Sequence, residues 1–99
     1  MIQKHINFIS CTYLSPLKES QSLELEKLFE KGSPNITMKF VEDFNSPYLG
    51  ICIGAISLQV FRKGKINVTI KESIDAYYSL DFIIDNLWET VLNEYIRSD

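Results

Sequence analysis

The chain has 99 residues, 45% of them apolar and 12% aromatic, with a formal net charge of −3. That length builds one core of two packed layers, so residues 1–99 are expected to form a single domain. The composition is that of a folded globular chain; no apolar run approaches the roughly 18 residues that cross a bilayer, and the acidic balance argues against general nucleic-acid binding.

The opening "MIQKHINFISC" holds only short apolar patches broken by Asn7, unlike the apolar stretch of about 7–15 residues in a secretory signal, so the expected location is the cytoplasm. Residues 5–14, "HINFISCTYL", are rich in β-branched and aromatic types and predict a first strand. "SPLKESQSLELEKLFEKGSP" predicts a helix over about residues 16–31, with Ser15 as N-cap, Pro16 at the first helical position, and Gly32 and Pro34 as stop signals. Leu17, Gln21, Leu25, Leu28 and Phe29 share one face of that helix.

"ITMKFVEDF" alternates, with Ile36, Met38, Phe40 and Phe44 on one side and Thr37, Lys39 and Asp43 on the other, the pattern of a strand packed on one face. "NSP" at 45–47 predicts a turn. "YLGICIGAISLQVF" is apolar on both alternating faces at its start and reads as a central strand covered on both sides, in which Gly50 and Gly54 mark a bulge or a bend. "RKGK" at 62–65 predicts a hairpin turn into "INVTI", where Ile66, Val68 and Ile70 form a second alternating set.

The last helix carries the clearest pattern. Leu80, Ile83, Ile84, Leu87, Trp88, Val91, Leu92 and Tyr95 recur at helical spacing over residues 79–96, with Ser79 placed to cap the start and Trp88 in the core. The sum is an α+β domain: an antiparallel sheet of three to five strands packed against two helices, the C-terminal one being the main helix.

Charge is unevenly placed. From residue 72 onward the acids are Glu72, Asp75, Asp81, Asp85, Glu89, Glu94 and Asp99, and the one Lys or Arg is Arg97. Asp81, Asp85 and Glu89 stand four residues apart, where like charges on a helix cost about 0.2–0.5 kcal/mol per pair. The helix dipole offsets this for Asp81 in the first turn but does not reach Glu89. A solvated face that keeps a small domain in solution is the plain explanation. Phe82, projecting between Asp85 and Glu89 where packing does not need it, points instead to a face for a cationic partner. Tyr78 and Asp75 extend that candidate partner-binding set, which is Asp75, Tyr78, Asp81, Phe82, Asp85 and Glu89.

Parts for chemistry are missing. His5 is the only histidine and has no recognisable partner for general-base or nucleophilic work, and "GICIG" has neither a dinucleotide spacing nor a phosphate-loop lysine. Carboxylates on one helix diverge, so a metal would need ligands from elsewhere. No enzyme, no cofactor and no metal is expected. Arg62, Lys63 and Lys65 are read as a charged hairpin tip held in solvent. Cys11 and Cys52 fit neither a metal pair nor a redox motif and are expected as buried, reduced thiols. "NIT" at 35 and "NVT" at 67 match glycosylation acceptors but fall in predicted strands.

In size, acidity, α+β pattern and the "DFIIDNLWE" carboxylate face, the chain resembles the immunity proteins of bacterial contact-dependent and polymorphic toxin systems. The resemblance implies a cytoplasmic protein, monomer or weak dimer, that binds a basic, nuclease-like toxin domain and occludes its substrate site without contacting nucleic acid or membrane. Asp81, Asp85 and Glu89 would then stand in for phosphates while Phe82 and Tyr78 give desolvated contact. The alternative is a small acidic secretion chaperone or adaptor that binds an effector segment along an apolar groove or sheet edge. A nucleic-acid mimic would need acidic charge spread more widely.

Overall fold

Residues 48–71 fold as two consecutive hairpins, and these set the frame of the sheet. The computed structural model describes residues 8–34, 36–43, 46–71 and 78–99. In the described chain β1 (Phe8–Leu14), β2 (Gln21–Leu23), α1 (Leu25–Lys31), β3 (Thr37–Val41), β4 (Tyr48–Ile53), β5 (Ile56–Phe61), β6 (Lys65–Lys71), α2 (Leu80–Thr90) and β7 (Ile96–Ser98) follow in order, with a 3₁₀ turn at Leu92–Tyr95. One antiparallel sheet has the order β1-β6-β5-β4-β3, and β2 pairs with β7 in a small second sheet. This is the expected α+β architecture, with α2 the longest helix.

Strand alternation decides which face is covered. Leu49 and Ile51 of β4, Ile56, Leu58 and Val60 of β5, and Ile66, Val68 and Ile70 of β6 are all buried. Register stacks them: Ile51 opposes Leu58, and Leu58 opposes Val68. Against this face pack Leu25 and Leu28 of α1, Leu80, Ile84 and Leu87 of α2, and Leu92. Each fully buried Leu or Ile contributes about 1.5–3 kcal/mol relative to exposure. The opposite face is polar at its centre, where Thr12 Oγ1 lies 3.1 Å from Asn67 Oδ1 and Asn67 Nδ2 lies 3.5 Å from Gln59 Oε1.

Several expectations are revised. "YLGICIGAISLQVF" is not one strand: Gly54 takes φ +58° and turns the chain at Gly54 and Ala55 into a hairpin. That left-handed angle costs any other residue about 1–2 kcal/mol, which is why glycine stands there. Gly64, φ +93°, does the same in the expected "RKGK" turn, and a Cβ on it would meet Leu17 Cδ1 at 2.9 Å.

The first helix begins at Leu25, not Pro16. Backbone groups needed for a helix are taken by other partners. Ser15 N bonds to the Gly64 carbonyl, continuing the ladder, and Leu23 N bonds to the Arg62 carbonyl. Ser22 is buried, its Oγ donating to Asp99 Oδ1 at 2.7 Å, so residues 20–23 are clamped to the end of the chain. Helix α2 likewise stops at Thr90 rather than running to residue 96. Thr90 Oγ1 turns back to the Asn86 carbonyl at 2.7 Å, and residues 96–98 are recruited to pair with β2.

Ser79 stands at the N-cap of α2 but its side chain makes no capping bond. The cysteines are free as expected but not a buried pair: Cys11 is half-buried and Cys52 is exposed, because Cys52 belongs to the open face of β4. Trp88 is half-buried against the core. His5, Asn35, Phe44 and Asn45 lie outside the described residues.

Candidate functional site

Helix α2 turns one stripe to the sheet and leaves its other side to solvent, because Leu80, Ile84 and Leu87 recur at helical spacing and must be buried. Asp81, Phe82, Asp85 and Glu89 are therefore exposed. Phe82 keeps 75% of its surface in solvent and Tyr78 keeps 80%, so neither ring is used to build the core. Asp75 lies outside the described residues.

The three carboxylates differ in their surroundings. Asp81 accepts a 2.5 Å hydrogen bond from the Tyr13 hydroxyl of β1. Partial burial, and then this bond to a carboxylate, push the Tyr13 hydroxyl above the usual tyrosine pKa. Asp85 stands one turn on, in a cleft of about 140 Å³ shared with Tyr13, Leu14, Ser15, Pro16 and Trp88. Ser15 Oγ in the wall of that cleft is buried and has no hydrogen-bond partner among the described residues. Glu89 follows on the next turn. Among the described residues no ion pair reaches Asp81, Asp85 or Glu89.

The cations of the β5–β6 turn are committed elsewhere. Arg62 forms a two-pronged pair with Glu26, Nη1 donating to Oε2 at 2.8 Å and Nη2 to Oε1. That pairing holds Glu26 at about 2. Lys63 Nζ donates to Asp99 Oδ2 at 2.6 Å and to two backbone carbonyls, and Lys65 lies 5.7 Å over the Phe61 ring. Arg62 and Lys63 are thus paired with carboxylates of the chain itself, while Lys63 and Lys65 stay exposed.

Strand β1 adds what the sequence reading missed. Among the described strands it is the outermost of the sheet, and α2 runs beside it: Cys11, Tyr13, Tyr78, Leu80 and Asp81 line one cleft, and Leu14 and Asp85 line the next. Leu14 is 80% exposed at the end of this strand. Tyr78, Leu14, Asp81 and Asp85 thus border the outer side of β1, on which no strand is paired among the described residues. The signal in the sequence was the absence of charge and proline from "FISCTYL", but only the strand order shows that it lies at an edge.

Among the described residues no group of three or more His, Cys, Asp or Glu converges on a possible metal position, and no helix is long and apolar enough to cross a membrane. Comparison of the chain with family models, with curated proteins and with solved structures finds no match.

Proposed function

We propose that this protein is an immunity protein: a cytoplasmic inhibitor that binds a basic, nuclease-like toxin domain through α2 and occludes its substrate site. The observation that supports this is the company kept by the carboxylates. Asp85 and Glu89 have no cation of their own among the described residues, and Phe82, three-quarters exposed, lies on the same solvent side of the helix. Carboxylates beside an exposed aromatic match a cationic pocket, giving fast, charge-steered encounter and a desolvated anchor once bound. A second reading, an acidic chaperone for a secreted effector segment, draws support from the outer edge of β1, which no strand pairs among the described residues.

The test is capture of partners by the tagged protein, beside a variant carrying Asp85→Asn, Glu89→Gln and Phe82→Ala, followed by expression of the captured partner alone and with each form. A basic toxin domain whose growth inhibition is relieved by the wild type and not by the variant supports the proposal. Equal relief by both moves the interface away from α2. A partner held only as an unfolded segment, with no toxicity to relieve, favours the chaperone.

A further inference from the structure

We propose that the outer edge of β1 is a docking edge, taking an extended, lysine- or arginine-bearing segment of the partner as an additional antiparallel strand. The inference rests on the reading of a cationic partner and specifies how part of it is held.

The ladder identifies the free groups. In an antiparallel pair, residues alternate between those that bond to the partner strand and those whose backbone groups point away. Ser15 N donates to the Gly64 carbonyl, and Ser15 and Gly64 continue the register in which Leu14 opposes Lys65. On the other side of β6, Lys71 N donates to the Ala55 carbonyl, so alternate residues of β6 serve β5. Both observations agree: Cys11 and Tyr13 bond to β6, and Ser10, Thr12 and Leu14 direct their N–H and C=O groups outward. No described strand is paired there.

Within its own sequence this edge strand carries none of the usual protection. "FISCTYL" has no charge and no proline, whereas β3, the opposite edge, carries Lys39 and is packed by α1. Long uncharged edges invite strand addition unless something covers them.

Charge selects the occupant. Asp81 and Asp85 line clefts with the β1 side chains on the core side of the sheet, so they stand beside the track of an added strand. Every second residue of that strand would face them. A second copy of this chain is a poor occupant: twofold antiparallel pairing of β1 with itself places both α2 helices on the same side and turns Asp81 and Asp85 of each copy toward the other. A segment with basic residues at alternate positions pairs its charges with those carboxylates instead.

The experiment uses the full chain and a synthetic peptide of alternating lysine and valine, followed by amide hydrogen exchange and chemical-shift titration. The expected result is saturable binding with slowed exchange at Ser10, Thr12 and Leu14. It should be lost with Thr12→Pro, which removes an outward N–H without touching the β6 ladder. A peptide N-methylated along one edge keeps the charge but cannot pair, and should fail in the same way; it serves as the control should the proline variant not fold. Binding that survives N-methylation with no change at those amides overturns the edge but leaves the cationic reading standing. Equal binding of a glutamate–valine peptide, or of the basic peptide to Asp85→Lys, removes the cationic reading. No binding overturns the edge as a site for basic segments, as does slowing that grows with protein concentration alone, which assigns it to a second copy.

Discussion

Asp85→Lys should make the protein more stable, and the size of the gain follows from the geometry of α2. Asp85 is exposed on the second turn, four residues from Asp81 and four from Glu89, with no ion pair among the described residues. Each like-charge pair at that spacing costs roughly 0.2–0.5 kcal/mol and each opposite pair contributes a similar amount. Reversing the central charge turns two repulsions into two attractions, a gain of about 1 kcal/mol at low ionic strength. For a domain of this length that raises Tm by about 4–8 °C. Lysine also forms helix more readily than aspartate, a contribution that salt does not screen. Urea unfolding should therefore be followed in dilute buffer and at about 1 M salt, where the screening length falls to about 3 Å and the electrostatic part of the gain disappears. Asp85→Asn gives the intermediate case, relief without attraction. Unchanged or lowered stability at low salt would refute the reasoning, because it would mean that Asp85 has a favourable intramolecular contact. A gain with no salt dependence would assign the effect to propensity alone. Stability raised while partner binding is lost is the signature of a residue retained for recognition at some cost to the fold.

Four further outcomes are expected. Leu58→Ala, in the middle of the central strand and 2% exposed, should cost roughly 2–5 kcal/mol in equilibrium unfolding through lost burial and the cavity left behind. Gly64→Ala should cost more than Gly54→Ala, since both force a left-handed angle on alanine, about 1–2 kcal/mol, but only at Gly64 does the new methyl meet Leu17 and Ser15; chemical denaturation of the pair gives the ranking. Glu26, lowered from 4.5 to about 2 by its bond to Arg62, is charged in the fold where it would be protonated in the unfolded chain, so its contribution is present above pH 4.5 and is lost as pH falls toward 2. The pair is partly exposed, so the loss is about 1 kcal/mol or less, and Glu26→Gln should flatten that limb of the pH–stability curve. Tyr13, raised above its usual value of 10, stabilises the fold only while protonated; stability should decline as pH rises beyond 10, and less steeply in Tyr13→Phe.

The sequence by itself determined the class of fold and much of its core. Ile66, Val68 and Ile70 alternate, and Leu80, Ile84 and Leu87 recur at helical spacing; since burial of apolar surface dominates folding, these periods dictated a sheet face and the helix that covers it. It also showed the acidic strip with Phe82, because those residues are whatever the apolar stripe of α2 leaves outside. Only the tertiary structure decided where segments end and what borders the strip. Residues 16–24 hold helix-compatible side chains, yet Ser15, Leu23 and Ser22 are bound to Gly64, Arg62 and Asp99, partners distant in sequence, and the same pairing ends α2 early by drawing residues 96–98 into β7. The edge position of β1, and with it the meeting of Tyr13, Leu14 and Asp85 on one surface, is likewise settled by strand order. A local pattern fixes which side of an element is buried, whereas hydrogen bonds between distant segments fix which element becomes its neighbour.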